Sequence, residues 1–314
     1  NYDLKFMGNI PLREALYLSR NLAAIRLGME LGEPSVIEMA RKFGITTPIP
    51  PYPSINIGSA DVYPIEMVAA YSAFATLGVR AVPNAVLKVE NAKGETIWEA
   101  TPARFETLSR DEAWMMVDMM KDVVRRGSAA SVWASGFHIP AGGKTGTTND
   151  GTDVWFIGYT PDLVTGIWMG FDRPQKIQSN AQGGRLVAPA WTSYMSEIYQ
   201  RRPAPPDWPR PDDLIVREVD KYTGLLRSPF CPDSQVVNEY FIEGTEPVQQ
   251  CPGLVATADS TQPAPAPAPF GVQQTVSDPN TVRPHAAPVP TASRPARDTV
   301  VRPTQLDPFH PGNP

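Results

Sequence analysis

The sequence predicts an α+β fold in which helices flank an antiparallel sheet. Residues 153–160 and 163–171 are rich in aromatic and β-branched side chains and are joined at Pro161-Asp162, which predicts a β-hairpin. The segment Lys144-Thr-Gly-Thr147 lies shortly before this hairpin, and we expect it to be the strand that leads into the sheet. Apolar residues recur at helical spacing on both sides of this region, and this spacing predicts the flanking helices.

The helices predicted ahead of the sheet have proline near the first position, glycine past the last position, or a capping pair. The first of these helices begins at Pro11, and the others cover residues 22–31, 34–43, 64–77 and 109–126. Ser109 and Glu112 form a capping box for the last of these helices. Its methionines are predicted to fill the core rather than to bind a metal; they are Met115, Met116, Met119 and Met120.

The rest of the chain is divided by its turn signals and its proline content. Residues 86–90 and 95–99 predict a peripheral hairpin, residues 128–133 a short helix, and residues 188–199 a terminal helix that follows a turn at Gly183-Gly184. The main domain is therefore expected over 1–200, a proline-rich linker over 201–211, and a small β extension over 212–253. Residues 254–314 are rich in proline and alanine, and we expect a disordered spacer there.

Composition excludes some classes of function. The net charge is −5 and no basic cluster occurs, so a nucleic-acid partner is not expected. No apolar run reaches the roughly 18–20 residues that a membrane helix needs. The chain starts at Asn1 and shows no signal peptide, which suggests an N-terminal truncation that removed any targeting segment.

Two cysteines, Cys231 and Cys251, are each followed by proline. The histidines are only His138, His285 and His310, so four zinc ligands cannot be assembled near the cysteines. The pair is either a disulfide, which export would favour, or two free thiols.

The strand predicted at Lys144-Thr-Gly-Thr147 has features of a substrate-binding edge. A glycine within a strand, Gly146, allows another backbone to approach closely, and Lys144 would attract a carboxylate. A phosphate-binding loop also ends in Gly-Lys-Thr, but its pattern requires glycine where this chain has His138. An ordinary hairpin with a surface lysine is the other interpretation.

A second short motif, Ser19-x-Asn21, lies between the first two predicted helices. Serine and asparagine often cap helices, so the motif alone favours a structural role. About 125 residues separate it from Lys144, and the two motifs occur in the order S-x-N, then K-T-G. This combination is used by serine acyl-transferases of the penicillin-binding class.

The chain resembles the transpeptidase domain of class A penicillin-binding proteins of the 1A type. The similarity covers residues 1 to about 252 and is strongest in a set of short segments. These are Asn1-Tyr-Asp-x-Lys-Phe6, Leu12-Arg-Glu-Ala-Leu16, Ser19-Arg-Asn21, Pro64-Ile-Glu-Met67, Gly143-Lys-Thr-Gly-Thr-Thr-Asn149, Asp153-Val-Trp-Phe-Ile-Gly-Tyr159 and Gly244-Thr-Glu-Pro247. The resemblance implies a penicillin-binding or serine β-lactamase-like fold, truncated at its N-terminus.

The resemblance also implies a role for each site residue. Ser19 would relay protons and Lys144 would hold the serine network, while Asn21 would bind the amide carbonyl of the substrate. The hydroxyls of Thr145 and Thr147 would bind the terminal carboxylate of a D-Ala-D-Ala stem peptide, beside Gly146 in the substrate-binding strand. The N–H of Thr147 would form half of the oxyanion hole. No metal or organic cofactor is implied.

One element of the family is missing from the sequence. No S-x-x-K motif, which carries the nucleophilic serine, occurs in the 314 residues. We therefore expect this chain to be the C-terminal part of an enzyme and to be inactive alone. The parent protein would also carry a glycosyltransferase domain and a membrane anchor, at the extracytoplasmic face of the inner membrane among cell-wall synthesis partners.

Two other functions remain open at this point. A hydrolase of the same fold, either a DD-carboxypeptidase or a β-lactamase, would use the same motifs. A non-catalytic β-lactam sensor or scaffold could lack S-x-x-K altogether. Peptidoglycan stem peptides and β-lactams are the expected ligands of a transpeptidase or of such a hydrolase.

Overall fold

The computed structural model of the chain describes residues 3–251. The tail predicted over 254–314 lies outside the described residues, as do the last two residues of the predicted extension. The helices are α1 Leu12–Tyr17, α2 Asn21–Leu31, α3 Glu33–Lys42, α4 Pro64–Ala75, α5 Arg110–Arg125, α6 Ser131–Ala134 and α7 Gly183–Gln200. The strands are β1 Val79–Ala81, β2 Lys88–Glu90, β3 Thr96–Glu99, β4 Arg104–Glu106, β5 Gly142–Thr147, β6 Val154–Tyr159, β7 Val164–Met169, β8 Ile215–Asp220 and β9 Val236–Phe241.

The central sheet has three antiparallel strands in the order β5-β6-β7. The prediction of a hairpin that follows the Lys-Thr-Gly strand is confirmed, with Lys144 opposite Ile157 in the register. The hairpin predicted over 86–90 and 95–99 is also confirmed, as β2 and β3. The pairing of β1 with β4 was not predicted, because strands of three residues are too short to show a period.

Helices pack on both faces of the central sheet, to which the side chains of β6 point alternately. On one face, Phe156 packs against Trp191 of α7 with ring centroids 5.4 Å apart. On the other face, Tyr159 packs against the aromatic rings of Tyr71 and Phe74 in α4. The chain therefore forms the predicted α+β architecture, in which helices cover an antiparallel sheet.

Several helix starts follow from their first residues. The capping box at Ser109 and Glu112 is confirmed, with both reciprocal hydrogen bonds present. Helix α4 begins at Pro64, whose missing N–H would have no partner in the first turn in any case. No helix within residues 3–251 has both the length and the apolar character needed to cross a membrane.

The turn predicted at Gly183-Gly184 is wrong, because these glycines are the first residues of α7. Because they have no side chain, they allow the backbone of α7 to lie close to the backbone at Trp155 and Ser128. A Cβ on Gly183 would lie 2.3 Å from the carbonyl oxygen of Trp155, and one on Gly184 would lie 1.9 Å from that of Ser128. The helix therefore starts five residues before its predicted first residue, and directly against the central sheet.

The proline-rich segment 201–211 is packed onto the core rather than free. Trp208 is only 6% exposed, and its indole N–H donates to the carbonyl oxygen of Ala75 at 2.8 Å. Its ring packs edge-on against Tyr159 with centroids 5.6 Å apart. The neighbouring carboxylate of Asp207 accepts hydrogen bonds from Lys121 of α5 at 2.6 and 2.8 Å. A segment whose composition predicts a linker thus closes one side of the core.

The extension that follows is built on the antiparallel pair β8 and β9. A disulfide joins Cys231 to Cys251 at its end. The extension contacts α5 directly, since the ring of Tyr240 packs edge-on against Trp114 with centroids 4.9 Å apart.

Candidate active site

Ser19 lies in the short connection between α1 and α2. Its φ of +55° is in the left-handed region, which is uncommon for a residue other than glycine. Neither Ser19 nor Asn21 caps a helix through its side chain; the N-cap position of α2 is Arg20, and Asn21 is the first helical residue. The helix-cap interpretation of the motif is therefore wrong. Backbone strain of this kind persists only where the surrounding structure fixes it, and it is concentrated at functional sites.

The structure brings Ser19 to Lys144 of β5. The ammonium group of Lys144 donates to the Ser19 hydroxyl at 2.7 Å and to the carbonyl oxygen of Thr145 at 3.1 Å. A hydroxyl can accept one hydrogen bond and still donate its own hydrogen. The Lys144 contact therefore leaves the Ser19 hydrogen free to be donated into the cleft.

The ammonium group of Lys144 is held in a poorly solvated position. Burial lowers the pKa of Lys144 from 10.5 to about 8. A lysine with a pKa near neutrality can exchange protons during a reaction, whereas an ordinary surface lysine stays charged.

This shift has a measurable consequence for stability. The unfolded chain, with the higher pKa, binds more protons than the folded chain between pH 8 and pH 10.5, so the Lys144 contribution to the free energy of unfolding rises with pH in that window. Below about pH 8 the contribution is constant and unfavourable. We expect the difference in unfolding free energy between wild type and Lys144→Met, measured by urea titration at several pH values, to rise with pH across the window. A pH-independent difference would show that the pKa of Lys144 is the same in the folded and unfolded chain.

The two threonines predicted to bind a carboxylate both contact protein groups. The Thr145 hydroxyl lies 2.7 Å from the Ser128 hydroxyl, and the Thr147 hydroxyl accepts from the N–H of Gly183 at 3.1 Å. As an acceptor, Thr147 keeps its own hydrogen for an anion. Both side chains are therefore oriented by the structure. Thr147 accepts in its bond and can donate to a ligand, and Thr145 can do so when Ser128 is the donor of their shared hydrogen bond.

Strand β5 offers a backbone edge to a ligand. It pairs with β6 on one side, and within the described residues no strand pairs with its other side. Gly146 and Lys144 lie on the face of β5 that carries Trp155 and Ile157 in the register. An extended peptide could add to this edge, as in other cases of β-strand addition.

Asn21 and the cysteines complete the set of predicted site residues. Asn21 follows Ser19 by two residues and is half-buried. Cys231 and Cys251 lie in the extension and take no part in the cleft. The residue that sequence reasoning missed is Ser128, whose hydroxyl contacts Thr145 and whose N–H donates to the carbonyl oxygen of Tyr17 at 2.9 Å. No local pattern marks it, since it follows the end of α5 in a segment whose sequence predicts only a short helix.

The fold and the paired S-x-N and K-T-G motifs define the class of penicillin-binding serine acyl-transferases. The family model described as "Penicillin binding protein transpeptidase domain" matches residues 1–195, and the chain belongs to this family. A second model, "Penicillin-binding protein 1A, C-terminal domain", matches residues 210–256, which places the chain among proteins of the 1A type.

Curated relatives agree with this assignment. The chain is 36% identical over 256 residues to penicillin-binding protein 1A of Aquifex aeolicus, a match that covers 82% of this chain and 34% of the relative. It is 30% identical over 278 residues to penicillin-binding protein 1A of Pseudomonas aeruginosa, covering 72% of this chain and 34% of the relative. The chain therefore spans about a third of the length of these relatives.

Solved structures show the same fold. Penicillin-binding protein 1A from Haemophilus influenzae superposes with a TM-score of 0.74 at 24% identity, covering 80% of this chain and 42% of that one. PonA1 from Mycobacterium tuberculosis, solved in complex with penicillin V, superposes with a TM-score of 0.57 at 25% identity, covering 67% of this chain and 61% of that one. The predicted penicillin-binding fold is confirmed.

Proposed function

We propose that this chain is the C-terminal part of a peptidoglycan DD-transpeptidase that cross-links stem peptides through a serine acyl-enzyme and is acylated by β-lactams. The observation that carries the proposal is the 2.7 Å contact between Lys144 and Ser19. It brings together two motifs that lie 125 residues apart and that this family uses in one cleft. The serine nucleophile would be supplied by an S-x-x-K element encoded upstream of Asn1.

The reaction has two steps. In the first, the nucleophilic serine attacks the carbonyl of the penultimate D-alanine, the peptide C–N bond breaks, and the terminal D-alanine leaves as an amine. The lysine of the S-x-x-K element takes the proton of the nucleophilic serine. Ser19 relays that proton to the leaving amine, since its hydroxyl can donate its own hydrogen and accept another while Lys144 donates to its oxygen. In the second step, an amine from a neighbouring stem attacks the ester, the acyl C–O bond breaks, and the proton lost by the amine is returned to the serine oxygen through the same relay.

Substrate binding is assigned to β5 and the start of α2. The edge of β5 at Gly146 aligns the peptide, and the hydroxyls of Thr145 and Thr147 donate to its terminal carboxylate. The Thr147 N–H stabilises the oxyanion, an interaction that contributes about 3–4 kcal/mol in comparable sites. Asn21 donates from its side-chain amide to the amide carbonyl of the substrate.

The proposed parent protein has further parts. It carries a glycosyltransferase domain and a membrane anchor, and it acts at the extracytoplasmic face of the inner membrane. Within this chain, the proposed division is a transpeptidase portion over 1–200, a proline-rich segment over 201–211, an extension over 212–253 and a spacer over 254–314. The family matches at 1–195 and 210–256 support the first and third of these boundaries.

The proposal is tested by mass spectrometry after incubation with penicillin. We expect the protein extended upstream of Asn1 to gain the mass of one penicillin, whereas the 314-residue chain gains none. The difference follows because the chain has no S-x-x-K serine.

Three other results would contradict the proposal. A stoichiometric adduct on the 314-residue chain would mean that it contains its own nucleophile. Rapid penicillin turnover by the extended protein, without an accumulated adduct, would indicate a hydrolase. A folded extended protein that neither binds covalently nor hydrolyses penicillin would be a non-catalytic scaffold.

A further inference from the structure

A half-buried arginine connects the extension to the helix that precedes Ser19. The guanidinium group of Arg13 in α1 donates to Asp118 at 2.7 Å and to Asp122 at 3.1 Å, both in α5. It also makes two hydrogen bonds to the carboxylate of Glu239 in β9, one of them at 2.7 Å and the other shorter. The Arg13 side chain is only 16% exposed. One residue therefore connects three elements, and Glu239 lies 226 positions along the chain.

The geometry of these bonds favours a fixed position for α1. Arginine presents its donors in a planar fork, so a two-bond contact with a carboxylate defines orientation as well as distance. Because the group is largely removed from water, salt and solvent screen it less than they would a surface pair. Helix α1 has only six residues and makes few internal hydrogen bonds, so its position depends on such contacts.

The position of α1 in turn determines that of Ser19. The N–H of Arg20 donates to the carbonyl oxygen of Ala15 at 2.9 Å, which folds the chain back over the end of α1. The carbonyl oxygen of Tyr17 accepts from the N–H of Ser128, next to the strand that carries Lys144. Ser19 itself holds an unfavourable left-handed conformation, which this packing must maintain.

Glu239 is well placed to act as an anchor because β9 is docked independently. The adjacent Tyr240 packs edge-on against the buried Trp114 of α5, and the guanidinium of Arg210 lies 5.9 Å from the Tyr240 ring centroid. The carboxylate of Glu239 is therefore presented by a strand that is already attached to the core.

We propose that the extension positions the catalytic Ser19 against Lys144, with Glu239 and Arg13 as the positioning residues. This inference rests on the proposed function, because it assigns the extension a task in the same active site. It explains why a β hairpin remote from the cleft is held to α1 by the most extensively hydrogen-bonded arginine among the described residues.

The informative substitution is Glu239→Gln rather than a change at Arg13. In Glu239→Gln the guanidinium group still binds Asp118 and Asp122, so no unpaired charge is buried and the chain should fold. Glu218→Gln is the matched control. Glu218 lies on the paired strand β8 and binds Arg227 at 2.9 Å in an exposed ion pair that does not touch α1.

Two measurements on the 314-residue chain test the inference. In Glu239→Gln, we expect the amides of Ser19 and Arg20 to exchange hydrogen about tenfold faster, since a charge-assisted contact that holds α1 is lost. We also expect the pKa of Lys144, measured by pH-dependent acetylation and mass spectrometry, to rise from about 8 toward 10.5 as the cleft admits water. Glu218→Gln should change neither quantity, and urea unfolding of each variant separates local from global effects.

The inference is overturned if Glu239→Gln lowers global stability while the Lys144 pKa and the relative protection of Ser19 stay unchanged. That result would make the Arg13 contact structural only. Arg13→Lys provides an independent check, because lysine keeps the charge but loses the planar fork. It should produce the same direction of change in both quantities; no change in either would also count against the inference.

The results that would contradict the proposed function differ from those that would contradict the positioning role. Both measurements use a chain without the S-x-x-K serine, so they do not depend on acylation. In the extended protein, Glu239→Gln should slow penicillin acylation about tenfold at saturating penicillin, in proportion to the loosening of Ser19. An extended wild-type protein that is never acylated would contradict the proposed function, while a shifted Lys144 pKa would still support the positioning role.

Discussion

Lys144→Ala in the protein extended upstream of Asn1 should reduce the rate of labelling by a fluorescent penicillin by about a hundredfold to a thousandfold, the usual effect of removing one preorganised donor. The substitution removes the hydrogen bond to Ser19 and the positive charge beside it. The Ser19 hydroxyl would then no longer be held by Lys144, and the proton transfer proposed for it would be poorly oriented. Gel fluorescence over a time course measures the rate.

Lys93→Ala is the matched control for this experiment. Lys93 is exposed in the turn between β2 and β3, away from the cleft, so its removal should leave labelling unchanged. Circular dichroism should show that both variants are folded. Labelling of Lys144→Ala at the wild-type rate would remove Lys144 from the mechanism.

Trp208→Ala should lower the free energy of unfolding of the 314-residue chain by about 3–5 kcal/mol, the range observed for truncation of buried aromatic side chains. Trp208 fills the space between α4, α5 and Tyr159, and its indole N–H binds Ala75. The substitution leaves both a cavity and an unpaired carbonyl group. Urea denaturation followed by circular dichroism gives the free energy.

Trp98→Ala is the control that shows how much unfolding free energy is lost when an exposed tryptophan is truncated. Trp98 is 49% exposed on β3, and its truncation should cost less than about 1 kcal/mol. Equal costs for the two variants would show that segment 201–211 does not stabilise the core and behaves as the linker that its composition suggests.

Local sequence patterns predicted the parts of the fold that depend on local chemistry. The hairpin of β6 and β7 follows from β-branched and aromatic runs around Pro161-Asp162, and α5 follows from the capping box at Ser109. In each case the determining residues lie within a few positions of the element itself. The contact between Ser19 and Lys144 is different, because only the resemblance to a known family predicted that two motifs so distant in sequence would meet.

The failures have a common physical cause, which is long-range packing. Proline content predicted a linker over 201–211, but within this segment Trp208 is buried in the core. Ser128 belongs to the site only because α5 ends beside Tyr17 and β5. A local pattern cannot show either contact, since each depends on a partner far away in the chain.

The glycines at the start of α7 have a consequence for how the cleft tolerates change. With no side chain, Gly183 and Gly184 allow the helix backbone to lie against the carbonyl oxygens of Trp155 and Ser128, and Gly183 also donates to Thr147. Even alanine at either position would push α7 outward and displace the threonine hydroxyl. These two positions are therefore constrained to remain glycine by the backbone atoms that they contact, although neither contributes a reactive group.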